Sequence, residues 1–281
     1  MTTGCLKSPI SLMGGKSLLT GWLCRYVPGH RLYCEPFAGG AKLFFAKEPS
    51  VISVLNDVND MLVNLYRCIQ NTEKRQRLMT LLNETPYARS VFQAWKYGDE
   101  TPQSDVEMAA RFFYLCKSSF AGDIERGGFA IPSKGTNRNP AQTYQNSIGM
   151  LEIVSQKLKG VTLECLDFQA CIRRYDSPDT LFYCDPPYLG AGHYYERGNF
   201  TQEDHHYRLS EILHNVQAAV MVSHYECDTY NLLYQGWNKY TFESFKGSSK
   251  AYSGESKPVT IECLWTNFEA RKIQKALWVN L

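Results

Sequence analysis

The chain has 281 residues, of which 44% are hydrophobic and 21% charged, with a formal net charge of +2. That is the make-up of a globular protein long enough to bury a full core in one large domain or two. It excludes a disordered or fibrous chain, and it confines any nucleic-acid contact to local patches.

Aromatic residues make up 13% of the chain, with 18 Tyr and 14 Phe, enough rings for a core and for stacking surfaces. None of the ten cysteines has CxxC spacing, so a zinc-ligand pattern is missing. Cys34, Cys165, Cys184 and Cys263 sit in apolar runs and read as reduced, buried thiols. The first residues lack a secretory-signal pattern, and no apolar run approaches the ~20 residues of a membrane span. The expectation is a protein of a reducing cytosol, away from membranes.

In chain order, Gly14-Gly15-Lys16-Ser17 looks like the end of a phosphate loop. That motif needs a glycine where Ile10 stands, so a turn with one lysine remains. Residues 31–45 read strand, tight turn, helix. Glu35-Pro36-Phe37-Ala38-Gly39-Gly40 forms the turn, its glycines permit positive φ, and the following helix points its amino end at whatever lies there. The spacing is not GxGxxG, and acidic Glu35 disfavours a phosphate ligand. Residues 51–57 form a second strand ending in Asn56-Asp57. Asp57 lies about 20 residues past the glycines, the offset at which an acid meets ribose hydroxyls in dinucleotide folds; a helix N-cap is the alternative.

From residue 64 to 148 polar helical stretches dominate (73–82, 91–96, 106–115), followed by a glycine-rich loop from Cys116 to Phe129 that continues to Lys134, Arg138 and Pro140. Five basic residues face two acids between Arg111 and Pro140. A basic loop with an aromatic is a candidate DNA reader, with a solvated surface loop as the alternative. The sheet resumes at 161–168, a strand ending in Asp167-Phe168. Residues 218–223 form another apolar strand after a helix at 204–215. Residues 239–245 and 258–267 read as a hairpin around a basic loop containing Lys250.

Between them lies Thr180-Leu181-Phe182-Tyr183-Cys184-Asp185-Pro186-Pro187-Tyr188. Five apolar or β-branched residues predict a buried strand, which the two prolines must end. Asp185 and Tyr188 then stand at the carboxyl end of a strand, where ligands bind in open α/β sheets. A carboxylate acceptor, the carbonyl of Pro186 and a flat ring together describe a holder for an aromatic amine; an ordinary strand-ending turn is the alternative.

Taken in order, these pieces resemble the Dam-type (D12 class, alpha group) adenine DNA methyltransferases, over nearly the whole chain. The resemblance rests on Gly14-Gly15-Lys16, the Glu35–Gly40 turn, Asn56-Asp57, Asp167-Phe168, Asp185-Pro186-Pro187-Tyr188 and the final Glu262-Cys263-Leu264-Trp265-Thr266-Asn267. It implies an α/β, Rossmann-like methyltransferase fold with a C-terminal antiparallel hairpin and an inserted, mostly helical target-recognition domain. The catalytic domain would comprise residues 1–63 and 149–281, and the insert 64–148. The implied cofactor is S-adenosylmethionine, leaving as S-adenosylhomocysteine, with no metal.

By position, the resemblance assigns Leu12, Lys16, Glu35, Pro36, Phe37, Gly39, Gly40, Asp57, Asp167, Phe168 and Asp185 to the cofactor. Asp185, Pro186, Pro187 and Tyr188 would hold a flipped-out adenine. Lys117, Ser118, Phe120, Ala121, Arg126, Lys134, Arg138 and Lys250 are the candidate DNA contacts. The implied partner is double-stranded DNA, bound by a cytoplasmic, nucleoid-associated monomer of bacterial or phage origin, with one or more copies on DNA. Residues 190–200, with His193, Tyr194 and Tyr195, are a candidate lid, with the histidines as ordinary surface residues the alternative. Leu12 and Met13 stand where the family usually has an aromatic, and Phe120-Ala121-Gly122 replaces the Tyr-Asn-Gly of GATC readers, so GATC specificity does not transfer. The alternatives are a catalytically silent DNA binder and a methyltransferase acting on RNA or on the cytosine 4-amino group.

Overall fold

A computed structural model describes residues 8–10, 19–133, 138–189, 203–245 and 259–270. Seven strands form one sheet in the order β3-β2-β1-β4-β5-β7-β6. β1 (Leu32–Glu35), β2 (Ile52–Asn56), β3 (Thr162–Glu164), β4 (Thr180–Cys184) and β5 (Ala219–Tyr225) run parallel. β6 (Asn238–Phe245) and β7 (Val259–Thr266) pair antiparallel, and β7 pairs antiparallel with β5.

The strands read as near-continuous apolar runs because helices cover both faces. Alternation along each strand divides its residues between two cores. Tyr33, Leu55, Leu181, Tyr183, Met221 and Leu264 face one. Cys34, Val54, Phe182, Cys184, Val220, Val222 and Trp265 face the other. After the short α1 (Thr20–Leu23) and α2 (Lys42–Ala46), the first face is covered by α3 (Asp60–Gln70), α4 (Thr72–Glu84), α5 (Arg89–Tyr97), α6 (Asp105–Ser118), α7 (Pro140–Gly149) and α8 (Leu151–Leu158). Leu78, Leu82, Phe92, Phe113 and Tyr144 belong to the same continuous core as the sheet face. Residue 64, where polar helical composition begins, lies inside α3. The second face carries α9 (Phe168–Tyr175), α10 (Glu203–His214) and α11 (Asp228–Leu233).

One local expectation changes, and one alternative falls away. The strand expected at 161–168 ends at Glu164, because Asp167 is the N-cap of α9, its Oδ1 accepting from the Gln169 amide at 2.9 Å. The cap of α3 is Asn59, which accepts from the Met61 and Leu62 amides, and not Asp57. Among the described residues no helix is long and apolar enough to cross a membrane, and no cluster of His, Cys, Asp or Glu could hold a metal ion.

Candidate active site

The five parallel strands end on one edge of the sheet, and the order of the chain reverses between β1 and β4. That switch point opens a crevice in α/β sheets. The turns leaving β1, β2, β3 and β4 carry the candidate residues, so the fold gathers segments that lie far apart in sequence.

After β1 the backbone turns tightly through two residues of positive φ, Gly39 (+47°) and Ala41 (+48°). A Cβ at Gly39 would meet nothing within 4 Å, and one at Gly40 would come 3.4 Å from the Ser8 hydroxyl. Gly39 is therefore needed for its conformation, not for close packing. Its amide donates to Asp57 Oδ2 at 2.8 Å, and its carbonyl accepts from the Tyr66 hydroxyl at 2.8 Å. Asp57 Oδ1 accepts from the Asn59 amide at 2.9 Å. Burial pushes the Asp57 carboxyl up, opposed by these two amides.

Asn56 at the end of β2 is fully buried and joins three segments. Its Nδ2 donates to the Pro36 and Leu166 carbonyls at 2.9 and 3.0 Å, and its Oδ1 accepts from the Leu166 amide at 2.8 Å. This clamp sets Pro36 and Phe37 against Asp167 and Phe168. The rings of Phe37 and Phe168 stack with centroids 5.4 Å apart. Phe168 is buried while Asp167 is exposed.

Glu35 is 1% exposed. Its Oε1 accepts from the Tyr33 hydroxyl at 2.7 Å and from the Phe44 amide at 2.9 Å. Burial raises its carboxyl to about 8, with a smaller push from the charge of Asp185 and opposition from the two donors. The acids of the β1 and β4 turns therefore sense each other across the switch point.

After β4, Asp185 Oδ1 accepts from the Ser223 hydroxyl at 3.1 Å, and Tyr188 donates to Glu262 Oε2 at 2.9 Å. The Tyr188 ring meets His224 at 4.4 Å and Tyr225, nearly perpendicular, at 4.5 Å. The Leu189 amide donates to His224 Nε2 at 2.9 Å. Pro186 is buried, and Asp185, Pro187 and Tyr188 are partly exposed.

The loop after α6 is built separately. Ser119 and Phe129 form an antiparallel bridge, the Phe120 amide donates to the Gly128 carbonyl at 2.8 Å, and Ala130 to Ser118 at 2.7 Å. Phe120 is 67% exposed, and Ala121 takes a left-handed φ of +58°. Arg126 and Arg138 are exposed, and Lys117 is half-buried with its Nζ 5.8 Å from the Phe113 ring centre. Burial lowers the Lys117 ammonium to about 8. Ser118 is a correction to the expected DNA surface: it is fully buried, and its hydroxyl donates to the Tyr114 carbonyl at 2.7 Å, beneath the loop. Leu12, Lys16, Lys134, Lys250 and the 190–200 stretch lie outside the described residues.

Three residues that sequence reading passed over support these turns, Tyr66, Ser223 and His224, and Glu262, singled out only as part of the final motif, supports the Tyr188 turn. Ser223 carried the one available signal, a polar residue closing the apolar run 218–223.

The sequence profile of the D12 class N6 adenine-specific DNA methyltransferases matches residues 13–248. The chain is 26% identical over 259 residues to the retron Ec67 DNA adenine methylase of Escherichia coli, covering 88% of this chain and 87% of that protein. It is 27% identical over 256 residues to the type II methyltransferase M.CviBI of Paramecium bursaria Chlorella virus NC1A, covering 89% and 94%. It is 23% identical over 271 residues to a DNA adenine methylase of Vibrio cholerae, covering 90% and 94%. With the glycine turn, the strand-end acids and Asp185-Pro186-Pro187-Tyr188 converging at one switch point, the chain belongs to the D12 class of N6 adenine-specific DNA methyltransferases.

Proposed function

We propose that the switch-point crevice binds S-adenosylmethionine on the β1–β3 side and a flipped-out adenine on the β4 side. The observation that carries this is the adjacency of the two turns: β1 pairs with β4, and the charge of Asp185 reaches Glu35. The donor set suits the cofactor. Asp57 and Asp167 are acceptors for ribose hydroxyls and an exocyclic amine, Phe37 and Phe168 offer apolar ring surface, and Gly39 and Gly40 keep the turn low enough for backbone approach. When bound, S-adenosylmethionine supplies a methyl group on a sulfonium.

The chain's own residues do the rest. The adenine 6-amino group is a poor nucleophile because its lone pair delocalises into the ring. Asp185 and the Pro186 carbonyl accept its two N–H bonds, which favours the pyramidal amine and stabilises positive charge as it develops. Orientation of both reactants contributes on the order of 7 kcal/mol or more in well-aligned systems. Tyr188 stacks on the extruded base and offsets part of the few kcal/mol that extrusion costs.

The 64–148 segment is the target-recognition unit in this reading. Its bridged loop presents exposed Phe120, Ala121 and Arg126 with Lys117 at its base, and exposed Arg138 stands just before α7, a combination suited to backbone and base contacts. In this reading the protein is a monomer in solution that acts on duplex DNA, with one or more copies on DNA, in the cytoplasm.

The test is product analysis. Purified protein is incubated with S-adenosylmethionine and unmethylated duplex DNA, and the digested nucleosides are analysed by mass spectrometry. N6-methyladenine is the expected product, and mapping its positions gives the site. Methylated cytosine would overturn the reading of Asp185, and cofactor binding with no product on DNA would favour RNA as substrate or a silent binder.

A further inference from the structure

Ser223 and His224 are consecutive residues near the end of β5, so their side chains leave opposite faces of the sheet. Both reach the turn that follows β4. Ser223 lies on the face of Tyr183 and contacts the first residue of the turn, Asp185. His224 lies on the face of Tyr230, with ring centroids 3.7 Å apart and planes 14° apart, and accepts from the amide of Leu189 just past Tyr188. The turn is held at both ends by one strand.

The hydrogen-bond directions on the Ser223 side follow from donor counts. Tyr183 is 4% exposed, and its hydroxyl lies 3.0 Å from Ser223 Oγ. Ser223 has one proton and two neighbouring acceptors, Asp185 Oδ1 at 3.1 Å and the Cys184 carbonyl at 3.5 Å. The nearer and charged oxygen is the stronger acceptor. Tyr183 therefore donates to Ser223, and Ser223 donates to Asp185. A carboxylate pinned at one oxygen has its terminal torsion set, and the direction of its second oxygen is set with it. The N-terminal side of this relay is rigid, since Tyr183 sits inside a fully buried strand.

We propose that Ser223, held by Tyr183, is a positioning residue for methyl transfer: its hydroxyl orients the Asp185 carboxyl toward the target amine. The proposal rests on the reading of Asp185 as the acceptor of the adenine 6-amino group. Ser223 touches neither reactant and acts through Asp185.

The experiment compares Ser223→Ala, Ser223→Thr, Tyr183→Phe/Ser223→Ala and Asp185→Ala in single-turnover methylation of a duplex oligonucleotide carrying the mapped site. Cofactor affinity is measured by calorimetry and thermal unfolding is followed in parallel. Loss of a hydrogen bond to a charged group predicts a rate about tenfold to a hundredfold lower for Ser223→Ala. Cofactor affinity should stay within about threefold, and Ser223→Thr, which keeps the hydroxyl, should recover most of the rate. The double variant removes donor and acceptor together, so it restores stability if Ser223→Ala unfolds, and it should remain slow. Losing a donor raises the basicity of the carboxyl, so the acid limb of the rate profile should move to higher pH. A uniform loss at all pH values, or a wild-type rate in Ser223→Ala beside an inactive Asp185→Ala, would overturn the positioning role alone. Near-normal turnover by Asp185→Ala would overturn the underlying reading of the site instead.

Discussion

The phenol of Tyr188 donates to Oε2 of Glu262 at 2.9 Å, a bond that joins the turn after β4 to β7 across 74 residues. With His224 and Tyr225 against the ring, the plane of Tyr188 is held before any base arrives. A preset platform loses less side-chain freedom on stacking.

The tether and the face can be separated by mutation. Tyr188→Ala removes both and should weaken capture of the extruded base by about 1–3 kcal/mol. Tyr188→Phe keeps the face and should lose only the tether, about 1 kcal/mol. The apparent KM for DNA, measured at saturating cofactor, reads the difference. Equal losses in the two variants would show that the hydroxyl, and not the face, is what matters.

Asn56 is expected to be the least replaceable residue beneath the cofactor motifs. Asn56→Ala leaves the Pro36 carbonyl and both backbone groups of Leu166 without their present partner. An unsatisfied buried group costs about 1–3 kcal/mol, so a lowered melting temperature and loss of S-adenosylhomocysteine binding should appear together. Differential scanning calorimetry and titration calorimetry check both, and wild-type values in either would refute the clamp.

Glu35 makes stability fall with pH. Its carboxyl is raised from an ordinary 4.5 to about 8, so between these values the unfolded chain ionises while the folded one keeps its proton. The contribution is complete below pH 4.5, declines through the interval and is lost above about 8, a change on the order of 5 kcal/mol. Glu35→Gln keeps an oxygen for the Tyr33 and Phe44 donors, both of which use Oε1. It should flatten this slope and be more stable than the parent at pH 8 relative to pH 5. Denaturant unfolding across pH 5–9 tests this, and parallel curves for parent and variant would remove Glu35 as the source.

Gly127 sits where a Cβ would lie 2.3 Å from the Asp123 carbonyl oxygen and 2.8 Å from that of Phe120. Gly127→Ala must displace the backbone of the bridged loop. Overpacking of about 1–3 kcal/mol corresponds to a loss of DNA affinity of roughly tenfold to a hundredfold if that loop contacts DNA. Cofactor affinity should change little, since the backbone hydrogen bonds that close the loop run within residues 118–130 and none goes to the glycine turn. Fluorescence anisotropy with duplex DNA gives the first quantity and titration calorimetry the second; unchanged DNA binding would detach the loop from recognition.

The end of β4 was legible in the sequence because its causes are local: an apolar run stopped by two prolines, with an acid and a ring beside them. The glycine turn was legible for the same reason. The 161–168 stretch misled, since its apolar residues extend past Glu164 and Asp167 caps a helix that periodicity alone did not separate from the strand. Ser118 misled because a serine beside a basic loop reads as polar surface, while helix α6 turns it into the core.

The sequence by itself determined the chemistry available: which strand ends carry acids, which turn can approach a ligand, and which ring can stack. Those properties follow from side-chain type and from backbone limits acting over a few residues. Only the tertiary structure decided how these groups are aimed. Ser223 reaches Asp185 across 38 residues and Asn56 reaches Leu166 across 110, because β5 pairs with β4 and β3 pairs with β2. A hydrogen bond between strand ends depends on sheet order and register, and neither is written in the spacing of residues along the chain.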